Sequence, residues 1–157
     1  MRVLPVNARA WLWLTLAVIV SYANSLTGDF QFDDYNVIVN QAQVHSWSAW
    51  LASLDHGIRP LLKLSYTFNW AISTNSFGFH LVNLCIHLAN TFLVYRLSQL
   101  FAENKSAQQF KLIPLFTALL FATHPIHTEA VSYISGRSTS LMAFFYLAAL
   151  LSYAIGR

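Results

Sequence analysis

Charge is what this sequence has least of. Only 10% of its 157 residues are Asp, Glu, Lys or Arg, where a soluble domain carries about 25%, and 56% are hydrophobic. That composition excludes a soluble enzyme: the solvent for most of the chain is lipid. Cysteine is nearly absent too. Cys85 stands alone inside an apolar segment, so no disulfide framework exists and the redox compartment stays open. Basic runs are missing, and the net charge of +3 is carried by isolated residues, which leaves no nucleic-acid footprint. Internal repeats and polar low-complexity segments are also lacking. Aromatic residues, by contrast, make up 15% of the chain, with five Trp and seven Tyr, the residues that form belts at membrane interfaces.

A transmembrane helix takes about 20 mainly apolar residues. Residues 10–27, 79–101, 111–130 and 138–156 qualify, the third with Pro125 bending it. The expected fold class is all-α, a polytopic membrane helical bundle of about four spans. The first segment reads equally as an anchor or as a cleaved signal peptide, because its basic start, short apolar core and small residues Ala23 and Ser25 fit both. With the N-terminus inside, Arg2, Arg9, Arg96, Lys105, Lys111 and Arg157 collect on one side and only Arg59, Lys63 and Arg137 on the other. The positive-inside rule therefore makes the N-terminus cytoplasmic. Asp29, Asp33, Asp34, Asp55 and Glu129 then share the outer face, leaving Glu103 alone inside. The extracytoplasmic loop 28–78 is long enough to need helices of its own. Val44, Trp47, Trp50, Leu51 and Leu54 fall on one helical face with Ser46 as N-cap. A second helix starts at Pro60, with Leu61, Leu64, Phe68 and Ile72 as its apolar stripe. Both are expected to lie along the membrane surface.

Three of the six acids sit within "GDFQFDDYN", residues 28–36. Asp33 and Asp34 follow Phe30 and Phe32, a partly desolvated setting in which a carboxylate can take a proton from an attacking alcohol. The same residues also make a solvated Asx-type turn. Arg59, extended before Pro60, is either a bidentate phosphate ligand or a headgroup anchor paired with Asp55. Lys63, one turn on, extends that positive spot or snorkels. "HPIHTEAVSYISGR", residues 124–137, holds His124, His127, Glu129 and Arg137. Two His three apart across a proline form an incomplete zinc set. Glu129 near a membrane surface needs a partner or a function, and Arg137 is its nearest cation in sequence. Thr128, Ser132 and Ser135 would form a polar strip toward other helices. His80, Asn83, His87 and Asn90 recur along one face of the second span and are expected to point inward, with His80 and Asn83 near the site end.

Four stretches in order, "YANSLTGDFQFDDYNVIVN", "RPLLKLSYTFNWA", "FGFHLVNLCIHLANTFLVYRL" and "LLFATHPIHTEAVSYISGRSTSL", give the chain a family likeness. Over about residues 20–150 it resembles the membrane part of the transmembrane-and-TPR O-mannosyltransferase family and its bacterial relatives, within the GT-C glycosyltransferase superfamily. The resemblance implies a polytopic enzyme whose first extracytoplasmic loop carries an essential carboxylate. It implies transfer of a sugar, such as mannose, from a polyprenyl-phosphate carrier to an acceptor hydroxyl, such as Ser or Thr of a protein. Asp33 and Asp34 match the acidic motif and become the catalytic candidates. Arg59 and the His124–Arg137 stretch match positions suited to carrier phosphate and sugar. The substrate-binding candidates are thus Arg59, Lys63, His80, His124, His127, Glu129 and Arg137. Clustered carboxylates at Asp33 and Asp34 suit Mg²⁺ or Mn²⁺, but members of the superfamily work with and without a metal, and dependence stays open. The likeness also favours a retained first span, in a bacterial inner membrane or ER membrane with the site on the periplasmic or lumenal side.

Relatives of this kind have further spans and TPR repeats, so the chain reads as an N-terminal fragment. A non-catalytic scaffold subunit or part of a transporter is the competing reading; a transporter would place its acids mid-membrane along a pathway. Orientation is testable at Asn104-Lys105-Ser106, an N-x-S acceptor sequence in a loop assigned to the inside. Expression in a eukaryotic host should leave Asn104 unglycosylated, and a glycosidase-sensitive mass shift lost in Asn104→Gln would reverse the topology.

Overall fold

The computed structural model describes residues 8–102 and 112–157. Arg2, Glu103, Lys105, Lys111, the acceptor sequence at Asn104 and the start of the third expected span lie outside the described residues. The described chain is an all-α polytopic membrane bundle. Its helices are α1 (Ala8–Tyr22), α2 (Trp47–Ala52), α3 (Pro60–Ile72), α4 (Ser76–Ala102), α5 (Ile113–Thr123), α6 (Thr128–Ser132) and α7 (Arg137–Gly156). Three are long and apolar enough to cross a membrane: α1 with the 3₁₀ turn that extends it to Thr27, α4, and α7.

The spans are apolar all round, as lipid-facing helices are, and small residues decide which faces meet. α1 buries Ala10, Leu14, Val18 and Tyr22, one residue per turn, and leaves Leu12, Trp13, Leu16, Ile19 and Val20 exposed. Ala118 and Ala122 of α5, also one turn apart, are fully buried. They let α5 approach α1 and α4 closely, so that Ala122 packs with Val18, Tyr22 and Leu84, and Ala118 with Leu14 and Tyr95. Trp11 stacks on Phe92 at 4.1 Å to tie α1 to α4. α4, 27 residues and about 40 Å long, packs against α1, α5 and α7 and is the central post.

The third span is not one bent helix over 111–130. α5 ends at Thr123, and His124 is extended (φ −69°, ψ 126°), because the residue before a proline is driven out of the helical region. A single 3₁₀ turn, Pro125–His127, then leads into α6. The hydroxyl of Tyr22 donates to the carbonyl of His124 at 3.1 Å, holding this corner to the end of α1.

Loop 28–75 folds back over the start of α4. Ile38, Val44, Tyr66, Phe79 and Ile134 form its core, with Phe30, Leu62 and Trp70 against them. The helix starts follow the sequence: Ser46 accepts from the Ala49 N–H at 3.2 Å, and Pro60 is the first residue of α3. Trp47, Leu51 and Leu54, and on α3 Leu61, Phe68 and Ile72, are exposed, whereas Val44, expected on the same face as Trp47, is buried in the loop core outside α2. Arg59 departs from expectation. It is left-handed (φ 57°, ψ 56°) rather than extended, a strained conformation for a bulky side chain.

The layers meet at Arg137, whose side chain is fully buried. Its Nε donates to Asn83 Oδ1 at 2.7 Å, Nη2 to the Phe79 carbonyl at 2.9 Å, and Nη1 to the carbonyl and hydroxyl of Ser65 at 3.2 and 3.3 Å. The guanidinium also lies over the rings of Tyr66 and Phe79, 4.7 and 5.6 Å from their centroids. Gly136 precedes it because a Cβ there would lie 2.2 Å from the Glu129 carbonyl oxygen. Arg137→Ala leaves these acceptors unpaired and is expected to cost about 3–5 kcal/mol, a fall of roughly 10 °C in melting temperature in detergent. Arg137→Lys should recover only part of it, since an ammonium lacks the planar fork. An unchanged melting temperature in Arg137→Ala would refute this role.

Candidate functional site

A cavity of about 310 Å³ opens between the start of the outer loop, the N-terminal end of α4, and α6. Ser25, Gly28, Asp29, Gln31 and Asp34 line one wall, and His80, Thr128, Glu129, Ser132 and Tyr133 the other. Two segments about a hundred residues apart in sequence are thus joined on one face of the bundle.

Asp34 makes the join. Although it comes from a polar loop, it is buried and both its oxygens are engaged. Oδ2 accepts the Gln31 N–H at 3.0 Å, and Oδ1 accepts the Ser135 N–H at 2.8 Å together with a short hydrogen bond from the Ser135 hydroxyl. The turn that presents Asp34 passes through Phe32, left-handed at φ 43° with its ring turned outward. Next to it, the Asp33 N–H donates to the Tyr133 hydroxyl at 2.9 Å. With a lone pair so engaged, Tyr133 keeps its own proton to donate.

The adjacent acids therefore have different places. Asp34 is in the cavity wall, whereas the Asp33 side chain is exposed and does not line it. They do not form a carboxylate pair on one side. Asp29 lines the cavity instead, and so does Glu129. Asp29 is not a sequence candidate because it stands apart from the Asp-Asp pair; Gly28, where a Cβ would lie 3.1 Å from His80 Nε2, is the local signal for it. Glu129 does not pair with Arg137, whose donors all go to protein groups on α3 and α4.

His80 is at the site as expected. It is almost fully buried, and its Nε2 donates to the Gly28 carbonyl at 3.1 Å. His124 and His127 are not in the cavity wall. His124 Nδ1 accepts from the Ile126 N–H at 3.2 Å and so shapes the corner after α5. His127 packs on Phe121 at 4.3 Å and faces the rings of His87 and His124 at 5.2 and 6.2 Å. Burial, and then the neighbouring His124, lower its pKa below the usual histidine range. Lys63 donates to Gln43 Oε1 at 2.5 Å and does not reach the cavity. Arg59 borders a different groove, between α3 and α7. Its charge is nonetheless felt, with those of Asp34 and Arg137, by Tyr66, whose pKa is raised chiefly by burial. Among the described residues, no group of three or more His, Cys, Asp or Glu converges as a metal site.

Further along the polar face of α4, side-chain nitrogens reach backbone carbonyls, whereas Asn90 Oδ1 and Thr91 Oγ1 are buried without a hydrogen-bond partner. Asn83 Nδ2 points at the carbonyls of Val131, Tyr133 and Ile134, His87 Nε2 at that of Ala122, and Asn90 Nδ2 at that of Ser140.

No family model matches the chain, and no solved structure matches it. Curated relatives do. The chain is similar to the human protein O-mannosyl-transferase TMTC4, 34% identical over 97% of this chain and 24% of that protein. Mouse protein O-mannosyl-transferase TMTC1 is 36% identical over 94% of this chain and 17% of its own length. A protein O-mannosyl-transferase of Caenorhabditis elegans is 33% identical over 88% and 22%. The chain therefore spans about a quarter or less of the relatives it matches.

The Asp34 latch has a direct test. Asp34→Ala frees three donors and should cost about 3 kcal/mol, whereas Ser135→Ala, which keeps the Ser135 N–H, should cost about 1. Limited proteolysis within residues 28–40 should accelerate strongly in the first variant and slightly in the second. Equal rates in both variants and the parent would mean that the latch does not hold the loop.

Proposed function

Because the chain belongs, over the residues it spans, to the TMTC protein O-mannosyl-transferase family, we propose that it forms the acceptor end of a membrane glycosyltransferase site. The activity is transfer of a sugar, in this family mannose, from a polyprenyl-phosphate carrier to a hydroxyl of Ser or Thr in a protein. The observation that carries the reading is the arrangement around Asp34. A carboxylate has about four lone-pair positions, and three donors reach Asp34. The remaining position belongs to Oδ2 of this cavity-lining residue, and in this reading it takes the acceptor hydroxyl.

In the proposed step the acceptor oxygen bonds to the anomeric carbon as the bond from that carbon to the carrier phosphate breaks. The hydroxyl proton passes to Asp34 Oδ2, and the electron pair of the broken bond leaves with the phosphate. Positive charge developing at the anomeric carbon is favoured by Asp29 and Glu129 in the same wall. Thr128, Ser132 and the Tyr133 proton supply the hydrogen bonds that a sugar's hydroxyls need. This revises the pairing of Asp33 with Asp34: the base is Asp34, and Asp33 serves through its backbone. The site belongs on the extracytoplasmic side, lumenal or periplasmic, as the charge asymmetry of the loops supports. A transport pathway fits less well, because Asn83, His87 and Asn90 of α4 each reach a neighbouring backbone carbonyl and the acids lie at the cavity instead.

Transfer of labelled mannose from polyprenyl-phosphate mannose to a Ser/Thr peptide, in membranes carrying the full-length protein, tests the assignment. Asp34→Asn should lower the rate by about 10²–10⁴-fold with unchanged membrane insertion, and Asp33→Asn by less than about tenfold. Wild-type transfer by Asp34→Asn would remove Asp34 as base.

A further inference from the structure

Two carboxylates in the cavity wall have no work in holding the fold. Asp29, Asp34 and Glu129 line the cavity, and no Lys or Arg does. Asp34 is occupied by the three donors that fasten the outer loop. Asp29 and Glu129 are different: both are exposed, and among the described residues neither side chain has a hydrogen-bond or ion-pair partner. One comes from the start of the outer loop and the other from α6, so only the fold puts them in the wall of one cavity.

His80 gives an independent sign of a ligand. It lines the same cavity and is 3% exposed. Its Nε2 faces the Gly28 carbonyl at 3.1 Å and therefore carries the ring proton, which leaves Nδ1 a bare acceptor. That atom is buried without a hydrogen-bond partner, a costly state for a polar group inside a fold. The unpaired groups of this kind, two carboxylates and one imidazole nitrogen, are all acceptors. Their complement is an ammonium or a guanidinium, which donates and never accepts. Of the partners in the proposed transfer, the sugar is uncharged and its carrier is an anion. A lasting positive charge can come only from the acceptor polypeptide.

We infer that the cavity selects acceptors by charge: it favours a Ser or Thr flanked by Lys or Arg, whose cationic side chain lies against Asp29 and Glu129, and disfavours one flanked by Asp or Glu. The inference rests on the transfer reading for the role of Asp34, but the selection is read in binding as well as in transfer. Because both carboxylates are open to water, the discrimination is moderate and is screened by salt.

The test uses the full-length protein in detergent, without sugar donor, and three fluorescent peptides that differ only in carrying Lys, Gln or Glu on either side of one Ser. At about 50 mM salt the Lys peptide should bind about tenfold more tightly than the Glu peptide, with the Gln peptide between them, and at about 0.5 M salt the spread should fall below about threefold. Asp29→Asn combined with Glu129→Gln alters exposed side chains that the fold does not use, and should bring the three peptides to within about twofold of one another. Asp55→Asn, which removes an exposed acid of the same loop outside the cavity wall, should keep the parent's spread. Equal binding of the three peptides by the parent, or a parent-like spread in the double variant, would overturn the inference. Collapse of the spread in Asp55→Asn would overturn it too, since net charge and not the cavity would then do the selecting. The transfer reading fails separately. Ranked binding with no sugar passed to any peptide removes the transfer and leaves the selection, whereas equal transfer to all three removes the selection and leaves the transfer.

Discussion

The structure depends on a cation that has no carboxylate against it. Moving the Arg137 guanidinium out of water is costly; among the described residues no acid is paired with it, and the charge of Asp34 acts on it only from a distance. It is held by an amide oxygen, two backbone carbonyls, a hydroxyl and two aromatic faces. Such partners balance a buried charge only while all of them stay in place. The constraint therefore acts outward, fixing Ser65 on α3, Phe79 and Asn83 on α4, and the α6–α7 turn relative to one another. Asn83 passes the constraint on, since its amide nitrogen serves the carbonyls of Val131, Tyr133 and Ile134. One wall of the cavity is the segment so fixed. Ser135, which holds Asp34, lies two residues from the guanidinium.

Asp34 and Arg59 line separate spaces, the cavity and the α3–α7 groove, and the charges of both act on Tyr66. Were the two charges in one pocket, they would neutralise each other as an ion pair. In separate spaces, the two side chains do not pair with each other, and Asp34 keeps the lone pair that the proposed transfer uses.

How far the sequence reveals this depends on how local each cause is. The Ser46 cap, Pro60 at the head of α3 and the inward face of His80, Asn83, His87 and Asn90 follow from one-dimensional rules, and the structure agrees with them. The membrane class follows from composition. Pro125 was recognised as a disturbance, but whether it bends or ends a helix depended on what the freed backbone could bond to. The Tyr22 hydroxyl, about a hundred residues away, takes the His124 carbonyl and makes the break sustainable. Sequence alone pairs Arg137 with a ligand or with Glu129, because it shows the nearest charge and not the nearest carbonyl. Asp33 and Asp34 looked like a pair for a similar reason. Their divergence is set by Ser135 and Tyr133, from a segment whose position in space no local pattern gives.

Phe32 and Arg59 supply a further link between fold and chemistry. Both adopt a backbone region that glycine would occupy freely, and at neither does the side chain gain by burial, since Phe32 is 83% exposed. A stability argument alone would place glycine at both. At Phe32 the left-handed turn reverses the chain so that the Gln31 N–H and the Asp34 carboxylate, three residues apart, meet at 3.0 Å. Arg59 turns sharply into α3, so the cation leaves the helix at its N-terminal end, beside the first turn of α7. At Phe32 the strain sits next to Asp34, whose position the proposed transfer needs; at Arg59 it sets how the chain enters α3.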